Sequence, residues 1–266
     1  MSYKFIKRII CLVFAFVFSF ARLSFAYIPN NVAKGRTYEF RDISKARLVT
    51  EYGKDDVLDS FDTVKFGLYP QGDINGIEKE PIEWIVLDRQ GNSALLLSKY
   101  ILDCKCYENE YKETTWETCS LRNWLNDIFL NYAFNVNEQI SIRSANLSNK
   151  DNVQYRVSGG NDTVDKIFCL SIDEVNMYFN QSNAASDNMK LATKGTEYAK
   201  VVDENFNLWI NNRQEWYNGN SSFWLRSPGK NHFTAADVYS YGHIDMDGHV
   251  TDNHYFGVRP AMWVTY

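Results

Sequence analysis

The sequence predicts an α+β domain, and three observations carry that prediction. The apolar runs Trp84 to Leu87 and Ala94 to Leu97 flank Gln90-Gly91-Asn92, the layout of a β-hairpin. Leu121, Trp124, Leu125 and Ile128 recur at i, i+3, i+4 and i+7, which places them on one face of an amphipathic helix with Ser120 positioned to cap it. Ser171 and Glu174 form an S-x-x-E capping box, and Val175, Tyr178 and Phe179 follow on one face of a second helix.

Ahead of these elements, Lys4, Lys7 and Arg8 precede an apolar run from Ile9 to Phe20, and small Ser24 and Ala26 follow. This is the three-part layout of a secretory signal peptide over residues 1–26. The run is shorter than the about 20 residues that span a bilayer, so membrane contact is expected only through this segment. The segment holds Lys4, Lys7, Arg8 and Arg22 and no acidic residue, so its removal makes a chain of 33 acidic and 28 basic residues more acidic still. A protein that tracks phosphates shows the opposite balance, so nucleic acid is not an expected partner.

Residues 27–62 mix Asn, Lys, Arg, Asp and Ser with few periodic apolar positions and read as a leader or spacer, with a short exposed helix in RDISKARLVTEYG. Residues 63–266 read as a single globular domain, long enough to bury a core without staples. VKFGLYPQG is a strand with a turn, followed by the hairpin and the first helix. An Asn- and Ser-rich stretch without pattern leads to the strand IFCLS and the capped second helix. Asn180 to Gly195 reads as a polar loop, TEYAKVVD as a short helix or strand, and FWLRSPG and GVRPAMWV close the chain. Cys104, Cys106, Cys119 and Cys169 permit two disulfides in an exported chain, with buried apolar filling as the alternative. No paired CxxC suggests a structural zinc site.

The ordered phrases VKFGLYPQG, PIEWIVLD, ALLLSKYILD, TTWETCSLRNWLN, DKIFCLSIDEVNMYF, WLRSPG and GVRPAMWV give the chain from about Val64 to Val264 a resemblance to a known family. It resembles the bacterial domain-of-unknown-function family six-two-seven-three, common in exported proteins of Gram-positive anaerobes. WLRSPG with a final G-V-R-P strand is also similar to the end of the C-type-lectin-like fold of formylglycine-generating, sulfatase-modifying enzymes. That likeness implies an irregular twisted antiparallel sheet with two flanking helices and long loops. It implies no catalytic residues, because the oxidase chemistry of those enzymes uses a cysteine pair in the C-terminal third, and Leu170 to Tyr266 contains no cysteine.

Candidate binding residues concentrate near the C-terminus. Trp216 and Tyr217, flanked by Asn, Gly and Gln, are candidate sugar-stacking platforms, and Tyr239 and Tyr241 are further candidate ligand-binding residues among the aromatics crowded in this region. Arg226 offers a guanidinium fork to a carboxylate or a sugar hydroxyl pair, against the alternative that it satisfies loop carbonyls or a buried Asp such as Asp237. His243, Asp245 and Asp247 lie in one Gly-punctuated turn. Its carboxylates, with Asp252 and Asn253, give a faint calcium-loop pattern lacking the further ligands such a loop needs. His232, His243, His249 and His254 cluster in sequence without the i, i+4 pairing of a preformed metal site, so no cofactor is expected.

The motifs of nucleophile elbows, zinc proteases, P-loops and dinucleotide folds are absent. Cys/His catalysis would require one of the four cysteines to meet a C-terminal histidine across the fold. The expectation is therefore an exported, non-catalytic recognition domain for a cell-surface glycan or protein. The alternatives are a secreted enzyme acting on cell-wall polysaccharide through carboxylates such as Asp237 and Asp245, and a structural module of a surface assembly.

Overall fold

A computed structural model describes residues 34–53, 56–179, 190–201 and 219–266. The described residues all belong to one compact unit, and the expected signal segment lies outside them. The chain enters a six-stranded sheet at β1 (Thr37–Glu39), parallel to β2 (Thr63–Tyr69). β3 (Glu80–Gln90) and β4 (Ser93–Ser98) form the expected hairpin, turning at Gly91 with φ 61°. Every residue of β4 is buried, which explains its unbroken apolar run.

The segment expected as a spacer is part of the core, and this corrects the sequence reading. Ile43, Ala46, Val49, Tyr52, Leu58 and Phe61 are all buried, carried on 3-10 turns at Phe40–Lys45, Val49–Glu51 and Leu58–Ser60. A 3-10 turn aligns residues three apart, so its buried stripe is invisible to a search at 3.6. Buried Asp62 ties the segment down, accepting from the backbone N–H groups of Arg36 (2.9 Å) and Arg47 (3.1 Å).

After β5 (Asp103–Cys104), a continuous helix α1 spans residues 120–133, with a π-helical turn at Leu125–Phe129 inside it. That turn accommodates one extra residue and rotates the face that follows. Phe129 is buried where the uninterrupted period put Ile128, and Ile128 is exposed. The cap also differs from expectation. Cys119 is the N-cap, while Ser120 donates to buried Glu108 from both its hydroxyl (2.6 Å) and its backbone N–H (3.2 Å).

Helix α2 (Val136–Ser141) leads into β6 (Ile142–Arg143), and β7 (Ala145–Leu147) pairs with β8 (Thr163–Asp165) in the stretch that showed no pattern. Helix α3 (Ile172–Phe179) begins with the predicted capping box: Ser171 N–H donates to Glu174 Oε2 (2.8 Å) and Glu174 N–H to Ser171 Oγ (3.2 Å). Residues 180–189 lie outside the described part. Most of the rest of the expected polar loop is buried instead: Lys190, Leu191, Ala192 and Thr193 are buried, Leu191 within the core, and Thr193–Lys194 forms β9 with Lys194 exposed. Helix α4 (Glu197–Val201) follows, and β10 (Asn220–Ser221) pairs with β9.

The last third builds a second sheet from β11 (Phe223–Pro228), β12 (Thr234–Val238), β13 (Ile244–Val250) and β14 (Gly257–Val258), in the order β13-β12-β11-β14-β5. β15 (Ala261–Thr265) then returns to the first sheet and inserts between β4 and β6. Arg259 pins this crossing: fully buried, it donates to the carbonyls of Ser98 (2.9 Å), Leu191 (2.8 Å) and Lys99 (3.4 Å). Burial pushes its pKa down to about 9, so the guanidinium is charged at neutral pH. Sheets and a few helices make the architecture α+β. All four described cysteines are buried, and Cys119 and Cys169 are free thiols that act as apolar filling. Among the described residues no helix is long and apolar enough to cross a membrane.

Candidate functional site

The β12–β13 ribbon carries the densest chemistry among the described residues. Asp237 pairs across the strands with Asp245, and the register then shifts so that His249 stands opposite Ala235. Gly248 makes the shift. Its φ is 69°, and a Cβ there would lie 2.2 Å from the Ala235 carbonyl oxygen, so neither the backbone conformation nor the space admits another residue without strain. The slip brings His249 Nδ1 to 2.8 Å from Asp237 Oδ2 and 3.6 Å from Asp245 Oδ2.

Asp237 is wholly buried, and desolvation pushes its carboxyl up to about 7, against the opposing pull of His249. Its Oδ1 has no hydrogen-bond partner among the described residues. Tyr239 Oη donates to Asp245 Oδ2 (2.8 Å), and burial together with that carboxylate holds the phenol well above its ordinary pKa. The wall behind the cluster is apolar. Phe256 stacks on Trp224 at 4.3 Å between ring centres and on its other contact meets His249 at 4.7 Å.

Beside this cluster three rings lie nearly parallel. Tyr239, Tyr241 and His243 have centroids 5.4, 6.2 and 6.0 Å apart and planes within 14° of one another. In a stacked column the outer rings would stand twice as far apart as neighbours, so three nearly equal separations describe a triangle of half-buried rings. The expected binding residues Tyr239, Tyr241, His243 and Asp245 are thus brought together.

Other expected residues go elsewhere. Arg226 is buried and forms a bidentate pair with Glu174, and it also donates to the carbonyls of Cys169 (3.0 Å) and Ser148 (3.4 Å). It borders a cleft of about 450 Å³ lined also by Met177, Met246 and Trp263. Asp247 does not converge with Asp245: its carboxylate accepts a short hydrogen bond from Tyr155 Oη. Asn253 accepts with its side-chain oxygen from the backbone N–H of Tyr255 (2.9 Å). Trp216 and Tyr217 lie outside the described residues.

The four histidines separate. His232 Nε2 is 3.1 Å from the Ser158 carbonyl, His243 joins the ring triangle and His249 the carboxylates. His254 Nδ1 lies 3.1 Å from Cys106 Sγ, so a cysteine does meet a C-terminal histidine across the fold. The sequence reading passed over His249 as a partner of Asp237. The signal available was Gly248 inside a strand pattern, which marks a bulge.

The family model for a domain of unknown function, DUF6273, matches residues 91–266, about two thirds of the chain. The chain belongs to this family. The DUF6273 match begins at the hairpin turn and includes the whole β12–β13 site, whereas β1 to β3 precede it, although they complete the other sheet, the one that holds β4, β15 and β6. The match starts later than the Val64 expected from sequence phrases. No match is found among curated proteins or solved structures.

Proposed function

We infer that this DUF6273 protein is an exported, non-catalytic recognition domain that binds a cell-surface glycan on the β12–β13 ribbon. The observation that carries this reading is the triangle of Tyr239, Tyr241 and His243, with Asp245 at its edge. Pyranose rings stack their C–H faces on such surfaces while a carboxylate receives their hydroxyls. The signal-like leader, the acidic balance and a C-type-lectin-like arrangement of irregular antiparallel sheet, two main helices and long connections agree with it.

The test is sedimentation of the purified protein with insoluble cell walls and polysaccharides, with released sugar measured in the supernatant. Retention without release, weakened at least tenfold in Tyr239→Ala/Tyr241→Ala, is expected. Retention that ignores both substitutions would remove the platform from the account.

One observation favours the second reading, a secreted polysaccharide hydrolase. A carboxyl raised to about 7 beside a second carboxylate is what glycoside cleavage uses. His249 Nδ1, however, lies 2.8 Å from one carboxylate and 3.6 Å from the other, and Asp237 is wholly buried, where a glycosidic oxygen cannot reach it. Release of soluble sugar that disappears in Asp237→Asn/Asp245→Asn would establish the enzyme instead.

A further inference from the structure

His249 Nδ1, one oxygen of Asp237 and one of Asp245 all lie within 4.8 Å of one another, and among the described residues no other three histidine, cysteine or carboxylate groups do so. Around a tetrahedral ion with bonds of about 2.0–2.2 Å, ligand atoms stand roughly 3.3–3.6 Å apart. The 3.6 Å from His249 to Asp245 matches that spacing, and the 2.8 Å from His249 to Asp237 is a hydrogen bond that an ion in place of its proton would open by roughly 0.5 Å. We propose that Asp237, Asp245 and His249 bind a divalent first-row transition ion of the zinc class, its remaining coordination positions filled by water or a ligand oxygen.

An independent observation points the same way. Asp237 Oδ1 is withheld from water and has no hydrogen-bond donor among the described residues. A buried carboxylate with one oxygen lacking a donor is costly, and a cation bound through its Oδ2 side would offset the charge of the whole group. The surroundings suit a metal centre. Asp247 N–H holds Asp245 by its other oxygen, Oδ1 (3.0 Å), as outer-shell donors orient ligating carboxylates, Tyr239 Oη shares its Oδ2 (2.8 Å), and Phe256 packs against the His249 ring.

The donor set also chooses among ions. An imidazole nitrogen with two carboxylates disfavours calcium, which takes oxygen ligands, and favours zinc, cobalt, iron or nickel. The register slip at Gly248 is what places His249 here, so the ribbon's irregularity and the site have one origin. The inference goes beyond the glycan reading and does not depend on it.

The test uses tag-free protein, stripped with chelator and titrated with cobalt(II) without any glycan. One equivalent should produce visible ligand-field bands, and zinc should displace it. Asp245→Asn and His249→Gln should each weaken cobalt binding at least tenfold, and Tyr239→Phe by a smaller factor. Asp245 and His249 are only partly buried, so both variants are expected to fold. Circular dichroism checks this, and if one variant misfolds the other decides. Absence of ligand-field bands in the wild type overturns the proposal. So does equal cobalt binding by the wild type and a folded variant, which would assign the ion to surface histidines such as His232 or His254. Because no glycan is present, either failure leaves cell-wall retention to be judged separately.

Discussion

A single buried carboxyl makes the pH behaviour of this protein legible. Asp237 ordinarily would titrate at 3.8 but is held at about 7 by desolvation. Below about pH 4 it is protonated in both folded and unfolded chains. Between about 4 and 7 the unfolded chain gives up the proton while the folded one keeps it, so this group lowers stability as pH rises, and above about 7 the penalty is constant. Asp237→Asn has no proton to lose. In chelator-containing buffer, the stability of the variant relative to wild type should therefore rise from about pH 4 to about pH 8 by a few kcal/mol. Urea denaturation at the two pH values measures it, and an unchanged difference would mean that Asp237 is not held protonated. Arg226 teaches a contrasting lesson. Its guanidinium is engaged by Glu174, whose other task is the N-terminal capping box of α3, so one carboxylate fixes both a helix start and a buried cation.

Among elements, the β12–β13 ribbon depends most on a single backbone position. Gly248→Ala must place a side chain at positive φ and against the Ala235 carbonyl. The expected cost is at least about 2 kcal/mol, with His249 displaced from Asp237. A denaturation midpoint and the His249 imidazole NMR shift would report the two effects, and an alanine accepted without loss would refute the account of the bulge. Much at this scale was readable beforehand. The β3–β4 hairpin and the α3 capping box follow from spacing alone, because their determinants lie within a few residues of each other. What stayed hidden follows equally simple physics. The π-helical turn in α1 breaks the 3.6 period inside the very stretch used to infer it, so Ile128 and Phe129 exchange roles. Residues 43–61 bury a stripe with period three, a repeat easily read as noise. At the site, Tyr239, Tyr241, His243 and Asp245 are neighbours in sequence and could be nominated together. The pairing of His249 with Asp237 required a register slip, and that of Cys106 with His254 joins positions 148 apart.

For the whole molecule, the family match and the folded unit do not coincide. DUF6273 spans residues 91–266, yet β4, buried along its length, needs β3 on one side, and β3 needs β2. A chain beginning at Gly91 would expose the β4 edge together with partners of Val64, Trp84 and Val86, each wholly buried in the intact protein. At about 1.5–3 kcal/mol for each large apolar side chain, that loss exceeds the usual margin of domain stability. The 91–266 fragment is expected to be insoluble or to lack a cooperative thermal transition, while a fragment beginning at Lys34 folds. A cooperative transition in the shorter fragment would show that the family match alone is an autonomous domain.

The insertion of β15 between β4 and β6 also sets a clock. During synthesis the ribosome delivers residues in order, and the gap between β4 and β6 in the six-stranded sheet stays open until 261–265 have emerged. Closure joins segments more than 150 positions apart, which is characteristic of slow-folding topologies. Throughout that interval the β4 edge can be captured by another chain, so a holding chaperone would find its client here.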